Sequence, residues 1–215
     1  MRLGYATRTP VHPDWLPLSS TGLVAWVNKM PNTRLPTAEE LNNLLRYEPK
    51  TGKLFWRKRD ASMFTDGQQT ASHNCNAWNG KCAGKEAFIS IDGKGYRAGK
   101  IHDRQYRAHR IIWAMRTGAW PRDQIDHVNR DRTDNRITNL REASISQNAH
   151  NAGLRRDNSS GFKGVSRHSA SSKWRAEIRI NNKRRSLGYY DTPEAAHAAY
   201  CEASRKLHGE FSNEE

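Results

Sequence analysis

The sequence predicts an α+β chain assembled from small units rather than one broad core. Only 35% of its 215 residues are hydrophobic and the mean hydropathy is −0.96, too little apolar surface for a single large core. From residue 37 onward, short helix and strand signals follow one another between polar turns. Near the C-terminus, strict two-residue alternation from Trp174 to Ile180 is followed by a helical stripe of alanines, which predicts a small antiparallel sheet packed on one helix.

Residues 1–36 contain five of the eight prolines, which fragment any long helix, although Leu23–Val27 could form a turn or short strand. Thr37 and Glu40 stand at the two positions of a capping box, with Leu41, Leu44 and Leu45 as the apolar stripe of a helix expected to stop near Pro49. Gly52–Trp56 reads as a strand and Ala61–Gly84 as an Asn/Gly-rich loop. Phe88–Ile91, a turn at Asp92-Gly93 and Lys100–Tyr106 suggest a meander, and His109–Thr117 a helix closed by Gly118.

In the C-terminal section, the alternation points Trp174, Ala176, Ile178 and Ile180 one way and Arg175, Glu177 and Arg179 the other. A two-residue loop at Asn181-Asn182 would pair Ile180 with Lys183, Arg179 with Arg184 and Glu177 with Ser186. Arg175, Arg179 and Arg184 then share an exposed face. Thr192 caps a helix with Pro193 at its first position, and Ala196, Ala199, Tyr200, Ala203 and Leu207 form its stripe before Gly209.

Charge narrows the partner. The chain carries a formal +14, and residues 155–190 hold ten Lys/Arg against two acids. A basic field interleaved with Trp174, Tyr189 and Tyr190 is the footprint of a protein that binds a polyanion. No window reaches the roughly 18 apolar residues of a membrane span. Residues 1–10 lack an apolar signal core, and three cysteines (Cys75, Cys82, Cys201) are an odd number for a disulfide scaffold, so the expected setting is the reducing cytoplasm.

The most specific signal is IDHVNRDRTDNRITNLREASISQNAHN from Ile125 to Asn151, where Asp126-His127 is followed by Asn139 twelve positions on and Asn148 nine further. This pattern, with LRYEPKTGKLFW and YRAHRIIWAMRTGAWP upstream, resembles phage-type HNH (ββα-metal, His-Me finger) homing endonucleases, in the variant whose final histidine is replaced by asparagine. The resemblance covers about residues 45–151 and implies a ββα-metal core. It implies His127 as the general base, a role that imidazole suits at neutral pH. Asp126 and Asn148 would supply two hard oxygen ligands to a single Mg²⁺ or Mn²⁺. Successive strand residues face opposite ways, so Asp126 and His127 can share a site only at a bend or strand end. Asn148 would lie on a helix opened by Ser144 or Ser146, with His150 projecting from a different side. Asn139 would orient His127 or pin the Val128–Arg136 loop. His109 reads as structural or as a phosphate contact. Arg130, Arg132, Arg136 and Arg141 are phosphate-clamp candidates or a solvated loop. Zinc is not expected from His73, Cys75 and Cys82, which lack paired CxxC spacing and a fourth ligand.

GFKGVSRH, KWRAEIRI, RRSLGYYDTPEAAHAAY and HGEFSN, across about residues 160–213, resemble the Apetala-two (ethylene-response-factor) DNA-binding domain, whose three-stranded sheet enters the major groove. By position, Arg179 and Arg184 match contact arginines and Glu177 a contact glutamate. Arg175, Lys183, Lys163 and Arg167 complete the DNA-binding set. Ser166, His168 and Ser186 replace the family's arginine, arginine and tryptophan, so its target sequence is not carried over. A basic sheet that only grips phosphates is the plainer alternative.

The expected organisation is an extension at 1–36, an HNH nuclease at 37–152 with its core at 109–151, a linker at 153–160, and the DNA-binding unit at 161–215. The expected activity is endonucleolytic hydrolysis of double-stranded DNA to 5′-phosphate and 3′-hydroxyl ends by a monomer. The rivals are a DNA-binding regulator with an inactive nuclease centre and an RNA-binding protein.

Overall fold

The computed structural model describes residues 34–180 and 183–214. The turn or strand expected at Leu23–Val27, and the Asn181-Asn182 loop itself, lie outside these residues. The first helix, α1 (Ala38–Leu44), is opened by the expected capping box, in which Thr37 accepts from Glu40 N while the Glu40 carboxylate accepts from Thr37 N. It ends at Leu44, about a turn short of the expected stop near Pro49, because Leu45 begins strand β1 (Leu45–Glu48), paired antiparallel with β2 (Lys53–Trp56). Leu45 stays fully buried; cross-strand pairing with Trp56 satisfies the backbone that a further helical turn would have satisfied.

The segment Ala61–Gly84, expected as a loop, is partly helical. It contains α2 (Ala71–Cys82), capped by Thr70 Oγ1 accepting from His73 N. Asn- and Gly-rich residues are weak helix formers, and here tertiary contact outweighs propensity. Trp78 of α2 meets Trp56 edge-to-face at 5.8 Å, and the Arg59 guanidinium lies 3.8 Å over the Trp78 ring. Strands β3 (Glu86–Ala87) and β4 (Ser90–Ile91) lead to β5 (Arg97–Ile101) and β6 (Arg104–Arg107). The segment expected as one strand is thus a hairpin, turned by His102 and Asp103 in the left-handed region (φ 49° and 60°), the backbone of a type I′ turn.

Helix α3 (Ala108–Thr117), closed by left-handed Gly118, packs Ile111 and Ile112 against Leu41 and Leu44 of α1. This core also takes in Ile125 and Leu140 of the antiparallel hairpin β7 (Gln124–His127) and β8 (Leu140–Ala143). Ser144, rather than Ser146, caps α4 (Ile145–Asn151) in a second capping box with Gln147. Hairpin and helix together form a ββα unit resting on the main core.

The C-terminal unit is a three-stranded antiparallel sheet in the order β11-β10-β9, made of β9 (Val165–Arg167), β10 (Trp174–Ile180) and β11 (Lys183–Tyr190), packed on α5 (Pro193–His208). The pairings Ile180–Lys183, Arg179–Arg184 and Glu177–Ser186 are those expected. Ala176 and Ile178 are buried against the helix. The helix's buried line is Ala196, Tyr200, Cys201 and Ser204, whereas Leu207 is exposed. Ser204 faces inward, where it accepts from Ser212 Oγ in the returning chain.

Close approach of helix to sheet depends on Gly164, whose φ is +73° and where an added Cβ would sit 2.1 Å from the Tyr200 ring. Gly164→Ala is expected to destabilise the C-terminal unit by about 2 to 5 kcal/mol, through overpacking and the left-handed backbone together. Thermal unfolding followed by circular dichroism, with binding of duplex DNA, checks this.

Candidate active site

The site forms where β7 runs out. Beyond His127 the chain turns, with Arg130 N donating to His127 O and Val128 N to Asn139 O. The strand end allows what alternation would forbid: Asp126 and His127 line one cleft of about 370 Å³, together with Asn148 of α4, Gln124, Arg130 and Arg132.

His127 is 4% exposed. Its Nε2 lies 3.1 Å from Asn135 Oδ1, and Asn135 Nδ2 donates to Thr133 O. That second bond fixes the amide with its oxygen toward the imidazole, so Nε2 carries the proton and Nδ1 keeps its lone pair. Burial pushes the imidazole below its ordinary pKa, against the opposing pull of Asn135 and Asp126, which keeps it neutral and able to accept a proton.

Asn135, fully buried, is held by the upstream hairpin. Tyr47 Oη donates to Asn135 O and accepts from Ile137 N. Gly52, at φ +71°, lies so close that an added Cβ would stand 2.5 Å from Arg136 N. Asn139 bonds within the loop rather than to His127: Oδ1 accepts from Asn129 N, and Nδ2 donates to Asn129 Oδ1 and Asp134 O.

Asp126 is 4% exposed. Arg141 forks onto Oδ2 at 2.8 and 2.9 Å, and Asn151 Nδ2 lies 3.0 Å from both carboxylate oxygens while also donating to His127 O. A carboxylate oxygen can accept two hydrogen bonds, so Oδ1 keeps an acceptor position. Asn148 Nδ2 donates to Gln124 Oε1, which leaves the amide oxygen as the group available to a cation. Two oxygen donors in one cleft are of the hard type that suits a divalent cation.

The remaining candidates separate. Arg130 and Arg132 line the cleft, Arg136 is paired with Asp134, and Arg141 is held by Asp126. His150 stacks on His208 at 3.6 Å, away from Asp126. Cys75 donates to Arg59 O inside the packing of α2. On the sheet, Arg179, Lys183 and Arg184 are exposed, Arg175 pairs with Glu177 at 2.9 Å, and Arg167 lies over Trp174. Lys163 is drawn away from the sheet's exposed face, donating to the His150 and Ala152 carbonyls; burial lowers its pKa to about 8.

Residues 106–150 match the family model for an HNH endonuclease, and residues 160–210 match that for an AP2 domain. An HNH endonuclease domain is followed by an AP2 domain. "Protein 3.8" of Escherichia phage T7 is 29% identical over 107 residues, 49% of this chain and 88% of that protein. No solved structure matches. Together the HNH and AP2 domains support a DNA-binding nuclease. No helix among the described residues is long and apolar enough to cross a membrane.

The HNH motif's spacing does not reveal Asn135, Asn151 or the pairing of Arg141 with Asp126, since none of these contacts follows a local period. The sequence does carry Asn151 three positions after Asn148, one helical turn on, the one signal that could have found it. His109 lies beneath the site, 5.1 Å from the His127 ring and 4.9 Å from Tyr96, too buried to meet a phosphate.

Burial, with His127, Arg107 and Arg110 nearby and Asp92 opposing, pushes the His109 pKa down to about 3. The unfolded chain, with its histidine near 6.5, therefore binds the extra proton between these values, and stability falls as pH drops through that window. His109→Gln should flatten the fall between pH 6.5 and 4, with each kcal/mol recovered raising the melting midpoint by about 2–4 °C; an unchanged slope in thermal melts across pH would count against a neutral buried His109.

Proposed function

We propose that the protein is a metal-dependent endonuclease for double-stranded DNA, of the phage homing type, which hydrolyses phosphodiester bonds to 5′-phosphate and 3′-hydroxyl ends and is targeted by its AP2 sheet. The observation that carries the reading is the shared cleft, in which a neutral imidazole with a free Nδ1 lone pair stands beside Asp126 and Asn148. His127 takes a proton from the attacking water through Nδ1, while Asn135 holds the ring by Nε2. Asn139 keeps the intervening loop in place, and Arg130 and Arg132 attract the phosphates at the mouth of the cleft. Asp126 and Asn148 would hold a single Mg²⁺ or Mn²⁺. When bound, the ion offsets negative charge on the leaving 3′ oxygen.

Arg179 and Arg184 form the exposed DNA-contacting face, with Arg175 and Glu177 fixed beside them and Lys183 exposed at the end of the hairpin to meet phosphates. One nuclease site and one targeting sheet suit a monomer, with the nuclease at residues 37–152, the connection at 153–160 and the targeting unit at 161–215. One observation favours a second reading: Arg141 Nε and Nη2 and the Asn151 amide fill Asp126 Oδ2, so a single acceptor position on Oδ1 is left to meet a cation. On that reading the protein is a DNA-binding regulator whose nuclease centre is inactive.

The two readings part in a supercoiled-plasmid assay on phage and host DNA inserts. A nuclease relaxes or linearises plasmid with Mg²⁺, stops in EDTA, and loses cleavage while keeping binding in His127→Ala. A regulator binds equally with EDTA and releases no nicked product. Arg179→Ala should weaken binding by about 1 to 3 kcal/mol and relax preference at one base pair if it reads a base; a uniform loss across sequences in gel-shift titrations makes it a phosphate contact.

A further inference from the structure

We propose that the AP2 domain is a working part of the nuclease site: side chains near its two ends hold Asp126 and helix α4 in place, so this domain positions the cation-binding groups as well as selecting the DNA. The inference rests on the reading of Asp126 and Asn148 as ligands.

Arg141 is the first link. Its Nε and Nη2 are spent on Asp126, and Nη1 donates to the carbonyl of Glu210, just past α5. The Phe211 ring lies 3.9 Å from the guanidinium carbon. The Arg141 side chain is 15% exposed and that of Asp126 5%. A nearly dry ion pair tolerates no loose donor, so the angle at which Arg141 presents its fork is set by Glu210 and Phe211. Asn151 is the second link. Its amide donates to Asp126, and its own carbonyl, with that of Ala152, accepts from Asn213 Nδ2 at 3.0 and 3.1 Å.

Helix α4 supplies the independent observation. Seven residues are too few for a helix to be stable alone, and its last carbonyls need donors. Those donors come from the AP2 side: Lys163 Nζ serves His150 and Ala152, and Asn213 serves Asn151 and Ala152. The His208 ring stacks on His150 of the same turn. Both proposed ligands, Asp126 from its strand and Asn148 from its helix, therefore hang on contacts made by residues 163 and 208–213.

The test uses the full chain and Mn²⁺ alone, titrated by electron paramagnetic resonance without DNA. Phe211→Leu keeps an apolar plug but removes the ring beside the guanidinium; Asn213→Ala removes the amide that holds α4. Each should weaken Mn²⁺ binding about tenfold and lower kcat for plasmid cleavage, with KM and the affinity for duplex DNA in EDTA unchanged, while Phe211→Tyr behaves as wild type. Unchanged Mn²⁺ affinity in both variants, alongside its loss in Asp126→Ala, overturns the positioning role and leaves the metal reading standing. Mn²⁺ bound equally well by Asp126→Ala overturns the metal reading itself and this inference with it. Should Phe211→Leu fail to fold by circular dichroism, Asn213→Ala, which removes only a side-chain amide, decides the matter.

Discussion

A carboxyl group taken out of water must be met by hydrogen-bond donors, and Asp126 imposes that requirement at the centre of this molecule. Its oxygens are met by the Arg141 fork from β8 and the Asn151 amide from α4. Strand pairing places Arg141 directly opposite Asp126, and the Ser144 capping box starts α4 at the residue that brings Asn151 round to it. The ββα unit is thus arranged around one buried charge. Its geometry follows from satisfying that charge more than from its own modest apolar packing, which is confined to Ile125, Leu140 and Ala143.

The histidine beside it is governed by a different constraint, that of tautomer. Neutral imidazole has one donor and one acceptor nitrogen, and which is which depends on the neighbour. Here the neighbour is Asn135, in a loop that would wander were it not tied at both levels: by Asn139 from within, and by Tyr47 and Gly52 of a hairpin some ninety positions earlier in the chain. The upstream residues are therefore scaffold for the loop, and the core of α1 and α3 is what holds that hairpin at the right distance. An imidazole at the end of a strand has a defined acceptor nitrogen only when its other nitrogen is committed.

The C-terminal unit separates its tasks by face. Ala176 and Ile178 take the helix side, and Arg179 and Arg184, directly paired across the hairpin, take the open side. Small residues make the helix side thin: Gly164 admits the Tyr200 ring, and Ala196 lets α5 sit low on the sheet. Cations that belong to neither face are used structurally, as Lys163 is at the end of α4. Positive charge in sequence thus overstates the positive charge that remains to meet DNA.

What the sequence by itself determined is what is encoded over a few residues. The capping boxes, the αL stop at Gly118, the alternation of β10 with its hairpin register, and the Asp126-His127, Asn139, Asn148 spacing were all legible, because caps, turns and periods of 2 and 3.6 act locally. The helix at Ala71–Cys82 was not legible, since its stabilising contacts are Trp56 and Arg59 rather than its own propensity. Nor were the partners of the buried side chains that line the cleft. Asn135 on His127, Arg141 and Asn151 on Asp126, and Asn213 on Asn151 join segments that no period relates. Only the tertiary structure decided them, because which donor meets a buried acceptor depends on where distant backbones come to rest, and that is fixed by packing of the whole rather than by any window of the chain.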